Sequence, residues 1–218
     1  MKLSENTLSV LKNFATINSG VVLQKGKIQK TISPEQTILV EATLEDDMPT
    51  EFGIYDLNQF LGNVTTLANP EMTFATESVQ MNDGSFNLNY YSCSPNLIIS
   101  PPRDKDLVLK NPEVSFDIPA ATLQKLLRLA AMNNLPHITV IGKNGKLTVR
   151  SHEKTNDTSN SADVAIGDYS GDDFNVSFKA ENLKMVSDDY SVQIKIGGFS
   201  CWTNKKATMK YFIALEKK

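Results

Sequence analysis

The feature that most constrains this chain is an internal repeat. The segment TLSVLKNFA occupies residues 7–15 and TLQKLLRLA occupies residues 122–130, with Thr, Leu, Leu and Ala at four matching positions offset by 115 residues. That offset is slightly more than half of the 218-residue chain. A repeat sets the architecture of a protein, because each copy folds as one supersecondary unit. The chain is therefore predicted to fold as two similar halves.

The repeat extends beyond its helix into a hairpin. In the first half, the β-rich runs GVVLQ and IQKTI flank a glycine turn at Gly26. In the second half, HITVIG and KLTVRS flank Asn144-Gly145, which is the strongest short hairpin signal. A second helix-plus-hairpin pattern then follows in each half. Its helices are predicted at 55–68, with Asp56 as the N-cap, and at 178–186.

These patterns predict an α+β fold made of two duplicated domains. Each domain is expected to place two helices on one face of a largely antiparallel sheet. The domains are predicted at 1–112 and 113–218. The first includes a connector at 92–112, which several prolines keep extended and non-helical.

The reactive side chains of the sequence argue against an enzyme. The chain has two cysteines without CxxC spacing, two histidines (His137 and His152) and no G-x-S-x-G nucleophile elbow. Its Asp-Asp doublets fall in predicted turns, where Asp is favoured for hydrogen bonds to nearby backbone. We therefore expect no catalytic residues, no metal and no cofactor.

Hydropathy argues against a membrane protein. No apolar run approaches the roughly 20 residues that cross a bilayer. The N-terminal residues also lack the unbroken apolar core of a signal peptide. We therefore expect a cytoplasmic protein without a membrane partner.

The predicted helices are neutral to basic, although the chain as a whole is mildly acidic. The net charge is −3, from 22 basic and 25 acidic residues. On the helix at 122–132, a rotation of 100° per residue places one apolar stripe opposite Lys125 and Arg128. The stripe consists of Leu123, Leu126, Leu127 and Ala130. This helix has no acidic residue. Such segregation predicts one positive surface that suits contact with a phosphate backbone without base reading.

Short words in order along the whole chain resemble one family. They are MKLS at 1–4, LKNFA at 11–15, INSG at 17–20, YDLN at 55–58, LLR at 126–128 and NGK at 144–146. With the doubled halves, these words resemble the processivity clamps of T-even-type bacteriophages, in the DNA sliding-clamp superfamily. The resemblance implies a DNA-clamp fold, in which three identical subunits form a ring around duplex DNA with the helices lining the hole.

The resemblance also implies partners and a place of action. A clamp of this family is not an enzyme. It tethers the replicative DNA polymerase by binding the polymerase's C-terminal peptide, and a separate ATP-driven clamp loader places it on DNA. Related phage clamps also act as coactivators by contacting late transcription factors. The expected location is the cytoplasm of the host cell.

Five basic residues form the expected DNA-facing set. The resemblance carries over Lys12, Arg128 and Lys184, because each lies in a matching helix word. Lys125 and Lys179 are added from the geometry of the predicted helices.

Subunit contacts and a partner pocket are expected by analogy with clamp rings. An unpaired strand edge invites pairing with another chain. The two candidate edges are LIIS at 97–100, with Leu97 and Ile99, and DVAIGDY at 163–169, with Val164 and Ile166. The pocket is expected between the domains, lined by Leu107, Leu109 and Phe212, although these residues equally suit anchoring the connector to the core.

Two alternatives belong to other classes. One is a phage structural or adaptor protein that uses the duplicated domain for assembly and never binds DNA. The other is a hydrolase that uses His137 or His152 with a nearby acid. The repeat and the basic helix face favour the clamp over the adaptor. The scarcity of histidine and the missing nucleophile motif argue against the hydrolase.

Overall fold

Two compact units make up the chain, Met1–Asp106 and Leu107–Lys218. The structure is a computed structural model, and it describes residues 1–102, 106–156 and 158–217. The division falls inside the predicted connector, whose residues 103–105 lie outside the described part. Within the described ranges, no helix is long and apolar enough to cross a membrane.

The first unit packs two helices against short antiparallel ladders. The helices are α1 (Glu5–Ile17) and α2 (Leu57–Thr66). The strands are β1 (Val21–Leu23), β2 (Gly26–Ile32), β3 (Ile38–Met48), β4 (Phe52–Ile54), β5 (Glu71–Phe74), β6 (Ser78–Asn82) and β7 (Asn87–Tyr91). Strand β1 pairs with β4, β2 with β3, and β6 lies between β5 and β7. Helix α1 contacts α2, β2 and β3, and buries Leu11 and Phe14 completely.

The second unit has one α-helix among its described residues, α3 (Ala120–Met132). The strands are β8 (Val114–Ile118), β9 (His137–Lys143), β10 (Lys146–His152), β11 (Ala162–Asp168), β12 (Phe174–Lys179), β13 (Tyr190–Ile194), β14 (Phe199–Asn204) and β15 (Met209–Ala214). One set of antiparallel strands runs in the order β11-β10-β9-β12, and another in the order β15-β14-β13-β8. Helix α3 contacts β10 and β11. The α+β class and the duplicated arrangement are confirmed.

The predicted turn between β9 and β10 is confirmed in detail. Asn144 has φ 53° and Gly145 has φ 74°, so both central residues lie in the left-handed region. Type I′ turns require this, and Gly and Asn adopt it at the lowest cost. The N-cap prediction is also confirmed, because the Asp56 carboxylate accepts a hydrogen bond from the Gln59 N–H at 2.9 Å.

The predicted hairpin around Gly26 is wrong. Strand β1 pairs with β4 instead of β2. The fully buried Gln29 side chain accepts from the Gln24 N–H at 2.7 Å and donates to the carbonyls of Gln24 and Gly26 at 2.8 and 2.9 Å. These bonds satisfy backbone groups that a β1–β2 ladder would otherwise use, since buried polar groups need partners.

The helix predicted at 178–186 is also wrong. Residues up to Lys179 belong to β12, and a single 3₁₀ turn, Ala180–Asn182, follows it. The backbone beyond the turn is held by two buried tyrosines, because Val186 N–H donates to the Tyr211 hydroxyl at 3.2 Å and the Tyr190 hydroxyl donates to the Val186 carbonyl at 2.7 Å. Burial raises the pKa of Tyr211 to about 12, so its hydroxyl keeps its proton at neutral pH.

Candidate nucleic-acid interface

Helix α3 separates an apolar face from a basic one. Leu123, Leu126 and Ala130 are buried against the unit, whereas Lys125 and Arg128 are exposed on the other side. Both cations line a shallow surface cleft of about 570 Å³ together with Ser187 and the first turn of α3. In the described part of the chain, neither cation forms an ion pair with a carboxylate. Their charge therefore remains available to an external anion.

The start of α3 is fixed by a residue far along the chain. Its N-cap is Pro119, which has no side-chain acceptor, and the Asp189 carboxylate instead accepts from the Ala120 N–H at 2.9 Å. A carboxylate at this end also interacts favourably with the helix dipole. This bond joins the loop that bears Ser187 to the helix that bears Lys125 and Arg128.

Helix α1 presents one cation in the same manner. Ser4 caps the helix by accepting from the Thr7 N–H at 3.1 Å, and Asp46 in turn accepts from the Ser4 N–H at 2.7 Å. Lys12 is exposed on the side opposite the buried Leu11 and Phe14. Helix α2 has no charged residue. Positive charge thus differs strongly between the helices.

Lys179 and Lys184 are not on a helix, contrary to the prediction. Lys179 ends β12, is exposed, and places its Nζ 3.6 Å from Glu181 Oε1. Lys184 is exposed in the loop after the 3₁₀ turn. Both remain basic surface residues of the second unit, but the described residues do not place them on a helix face with Lys125 and Arg128.

The predicted strand edge at 163–169 lies at a sheet edge. Strand β11 is outermost in the order β11-β10-β9-β12, and Val164 and Ile166 lie on the same face of it, two residues apart. Arg150 on β10 is bound to Asp163 at the start of this edge.

The predicted edge at 97–100 is wrong as a strand. Leu97 ends a 3₁₀ turn, Pro95–Leu97, and Leu97 and Ile99 are exposed in irregular backbone. The Asn18 side chain donates to the Ile99 carbonyl at 2.9 Å, so that carbonyl is already bound within the unit. The outermost strand here is β7, whose Tyr91 is 72% exposed. The alternation in NLNYY was the signal that could have identified it.

The three predicted pocket residues lie in different settings. Phe212 is buried in β15, with its ring centroid 6.2 Å from that of Phe199. Leu107 and Leu109 both lie in irregular backbone before β8, and Leu107 is exposed. Their role as a partner pocket stays a prediction.

His152 forms part of a hydrogen-bonded chain of side chains on β9, β10 and β12. His152 Nε2 lies 2.8 Å from the Thr139 hydroxyl, which lies 2.7 Å from the Ser177 hydroxyl. Among the described residues, no group of three His, Cys, Asp or Glu side chains is arranged to hold a metal. The Thr139 hydroxyl is buried and is shared between His152 and Ser177, so it links β9, β10 and β12 in one chain of hydrogen bonds.

Known proteins match both units. The family model described as DNA polymerase processivity factor matches residues 2–89, and the model described as gp45 sliding clamp, C terminal, matches residues 115–217. The sliding clamp of Vibrio phage KVP40 is 29% identical over 221 residues, which cover 99% of this chain and 99% of that protein. The sliding clamp of Enterobacteria phage T4 is 30% identical over 199 residues, which cover 88% of this chain and 86% of that protein.

The fold is shared with more distant solved structures. The structure of the C-terminal region of FEN-1 bound to A. fulgidus PCNA matches with a TM-score of 0.69 at 14% identity, over 97% of this chain and 95% of that one. Two α+β units with a basic helix surface define a protein of the DNA sliding-clamp class. The chain belongs to the sliding-clamp family of T4-like phages, whose members are DNA polymerase processivity factors.

Proposed function

We propose that three copies of this chain close into a ring around duplex DNA, with α1, α2 and α3 facing the hole. The observation that carries this proposal is the surface of α3, where Lys125 and Arg128 lie opposite the buried face of a helix without acidic residues, in a chain of net charge −3. A ring of three chains at −3 each has a net charge of −9. An acidic exterior repels DNA, so the basic helices offer the one favourable path for a duplex.

The proposed DNA contacts are loose and independent of base sequence. Lys12, Lys125 and Arg128 are the helix-borne members of the set, and Lys179 and Lys184 add charge from β12 and the loop after it. Flexible lysine and arginine side chains contact phosphate without reading bases. The ring then slides, and its attraction for DNA weakens as salt rises.

Ring closure is proposed to use strand edges in the two units. Strand β11 supplies Val164 and Ile166, and the exposed Tyr91 marks β7 as a complementary edge. Edge strands carry backbone groups that readily pair with another chain. Leu97 and Ile99 adjoin β7 in sequence and add exposed apolar surface to the same proposal.

The proposed partners follow from membership of the family. The A. fulgidus relative is described with the C-terminal region of FEN-1 bound to it. We propose by analogy that this chain binds the C-terminal peptide of its DNA polymerase, with Leu107, Leu109 and Phe212 as candidate contacts. A tethered polymerase that dissociates stays at a high effective concentration near the primer end. We further propose an ATP-driven loader, late transcription factors as additional ligands, and action in the cytoplasm of the host cell.

One experiment tests the ring. The chain is loaded by its cognate clamp loader and ATP onto circular and linear duplexes of equal length, and retention is measured beside the mass of the free protein in solution. A trimer mass, retention on circles and loss from linear ends are the expected results. A monomer that ignores DNA topology with an active loader would overturn the proposal and favour the adaptor alternative.

A further inference from the structure

The segment after β15, Leu215 to Lys217, lies against the outer strand β12; we call it the latch segment. The Glu216 N–H donates to the Ser177 carbonyl at 2.8 Å. The Glu216 carboxylate reaches Lys154 Nζ at 2.5 Å and lies 3.6 Å from His137 Nε2. The Leu215 N–H also donates to the Gly198 carbonyl at 3.4 Å. Two backbone bonds and two ionic contacts therefore hold this segment to the second unit.

His137 lies between two carboxylates. Its Nε2 faces Glu216, and its Nδ1 lies 3.7 Å from Glu153 Oε1. The Nδ1 atom is buried and has no hydrogen-bond partner among the described residues. A neutral imidazole carries a proton on only one nitrogen, so one lone pair would face a carboxylate. Both contacts are attractive only when His137 is protonated.

Glu153 is fixed as an anion. It accepts from the Thr155 N–H and the Thr155 hydroxyl, each at 3.0 Å. The bond from the Thr155 backbone is the main cause that lowers the pKa of Glu153. Its negative charge is therefore in place at neutral pH.

The other charged groups around His137 are arranged in pairs. Lys154 binds Glu216, and Lys179, opposite His137 in the β9–β12 ladder, lies 3.6 Å from Glu181. The ring of His152 is 6.1 Å from that of His137. Burial lowers the pKa of His152, and the charge of His137 acts in the same direction. His152 therefore tends to stay neutral while it contacts Thr139. Of the two histidines, only His137 has a carboxylate within 4 Å among the described residues.

We propose that protonated His137 holds the latch segment closed, and that loss of this proton releases Glu216. The segment borders two clefts of the second unit, of about 850 and 590 Å³, and Glu216 lines both. Release joins these clefts and uncovers the Ser177 carbonyl on the edge of β12. The proposed switch thus depends on the charge of one imidazole that lies between two carboxylates.

Hydrogen exchange of the free full-length chain tests the switch without DNA, so its outcome is separate from that of the proposed ring. The protection of the Glu216 amide is measured by mass spectrometry at pH 5.5 and 7.5, and divided by the exchange of a synthetic peptide of residues 211–218 at the same pH. The corrected protection should fall by about two- to fivefold as the pH rises, the range expected for partly exposed ion pairs.

The two histidines of the chain supply a matched control. His137→Gln should give low protection at both pH values, and Glu216→Gln should do the same, although its backbone N–H is unaltered. His152→Gln should retain the pH change. An unchanged pH response in folded His137→Gln or Glu216→Gln, or no response in the unmodified chain, would overturn the switch. If His137→Gln does not fold, the pH response of Glu216→Gln alone tests the proposed switch.

Discussion

Arg150 and Asp163 form a bidentate ion pair across the β10–β11 ladder. Arg150 Nε donates to Oδ1 at 2.6 Å, and Nη2 donates to Oδ2 at 2.8 Å. The two residues are direct register partners, so the pair ties the outermost strand to its neighbour. Because β11 is the edge proposed to join the next subunit, this pair bears on the rigidity of that edge.

Removal of this pair should cost a small, pH-dependent amount of stability. The hydrogen bond from Arg150 is the main cause that lowers the pKa of Asp163. The contribution is therefore present above the ordinary carboxyl pKa of about 3.9 and is lost as the pH falls through the lower folded value. Both side chains are about two-fifths exposed, at 42% and 43%, so Arg150→Met should lower the free energy of unfolding by less than about 1 kcal/mol at pH 7. Urea unfolding at pH 7 and pH 3 measures this, and an equal deficit at both values would contradict the assignment.

Reversal of charge on α3 should impair clamp action without unfolding the protein. Lys125→Glu with Arg128→Glu changes two side chains that form no ion pair within the described ranges. We expect loader-dependent retention on circular DNA to fall by about tenfold or more, since each lost phosphate contact weakens binding and each added carboxylate repels phosphate. The double variant Lys110→Glu with Lys206→Glu has the same net charge, but its substitutions lie off the helices. Equal retention by the two double variants would remove Lys125 and Arg128 from the DNA-facing set.

Charges placed on the β11 edge should dissociate the ring. Val164→Asp with Ile166→Asp alters one face of the outermost strand, where an uncompensated carboxylate is costly to bury in an interface. Light scattering after gel filtration should show a shift from trimer to monomer mass with unchanged circular dichroism. Leu97→Asp tests the other predicted contact, and a trimer that survives in both variants would place the interface elsewhere.

Two glycines in the first unit should respond to alanine with opposite signs. A Cβ on Gly53 would overlap the Cys93 carbonyl oxygen, so backbone must move, at a cost of about 1–3 kcal/mol. Gly62 lies within α2, where a methyl group in place of its hydrogen would meet no atom within 4 Å, and Gly62→Ala should stabilise the protein by roughly 0.5–1 kcal/mol. Paired urea denaturation curves check both signs, and a destabilising Gly62→Ala would show that α2 needs flexibility at that turn.

Local patterns in the sequence predicted the elements whose cause is local. The apolar stripes of α1 and α3, the Asp56 cap and the Asn144-Gly145 turn each depend on residues within a few positions of one another. The same holds for the outward placement of Lys125 and Arg128, since it follows from the phase of one helix.

The failures share a different cause, which is a side chain from elsewhere that satisfies the backbone. The Gln29 side chain bonds backbone groups near Gly26 that were expected to pair in a hairpin. Tyr190 and Tyr211 bond the backbone of Val186, where a fourth helix was expected. The Ile99 carbonyl is bound by Asn18, 81 residues away in sequence. Periodicity does not report such contacts, because a buried polar side chain leaves no repeating trace in the sequence.

The helices differ in charge, so the electrostatic potential around the hole of the proposed ring should vary from one helix to the next. Helix α3 carries two cations and no anion. Helix α1 carries one cation, Lys12, and one anion, Glu5 in its first turn, and α2 is uncharged. Threefold repetition then sets strongly positive sectors between nearly neutral ones. A duplex inside such a ring is expected to contact the basic helix of one subunit after another, and not all three at once. Sliding of the proposed ring should therefore meet little resistance, because its contacts with the duplex are few, weak and repeated.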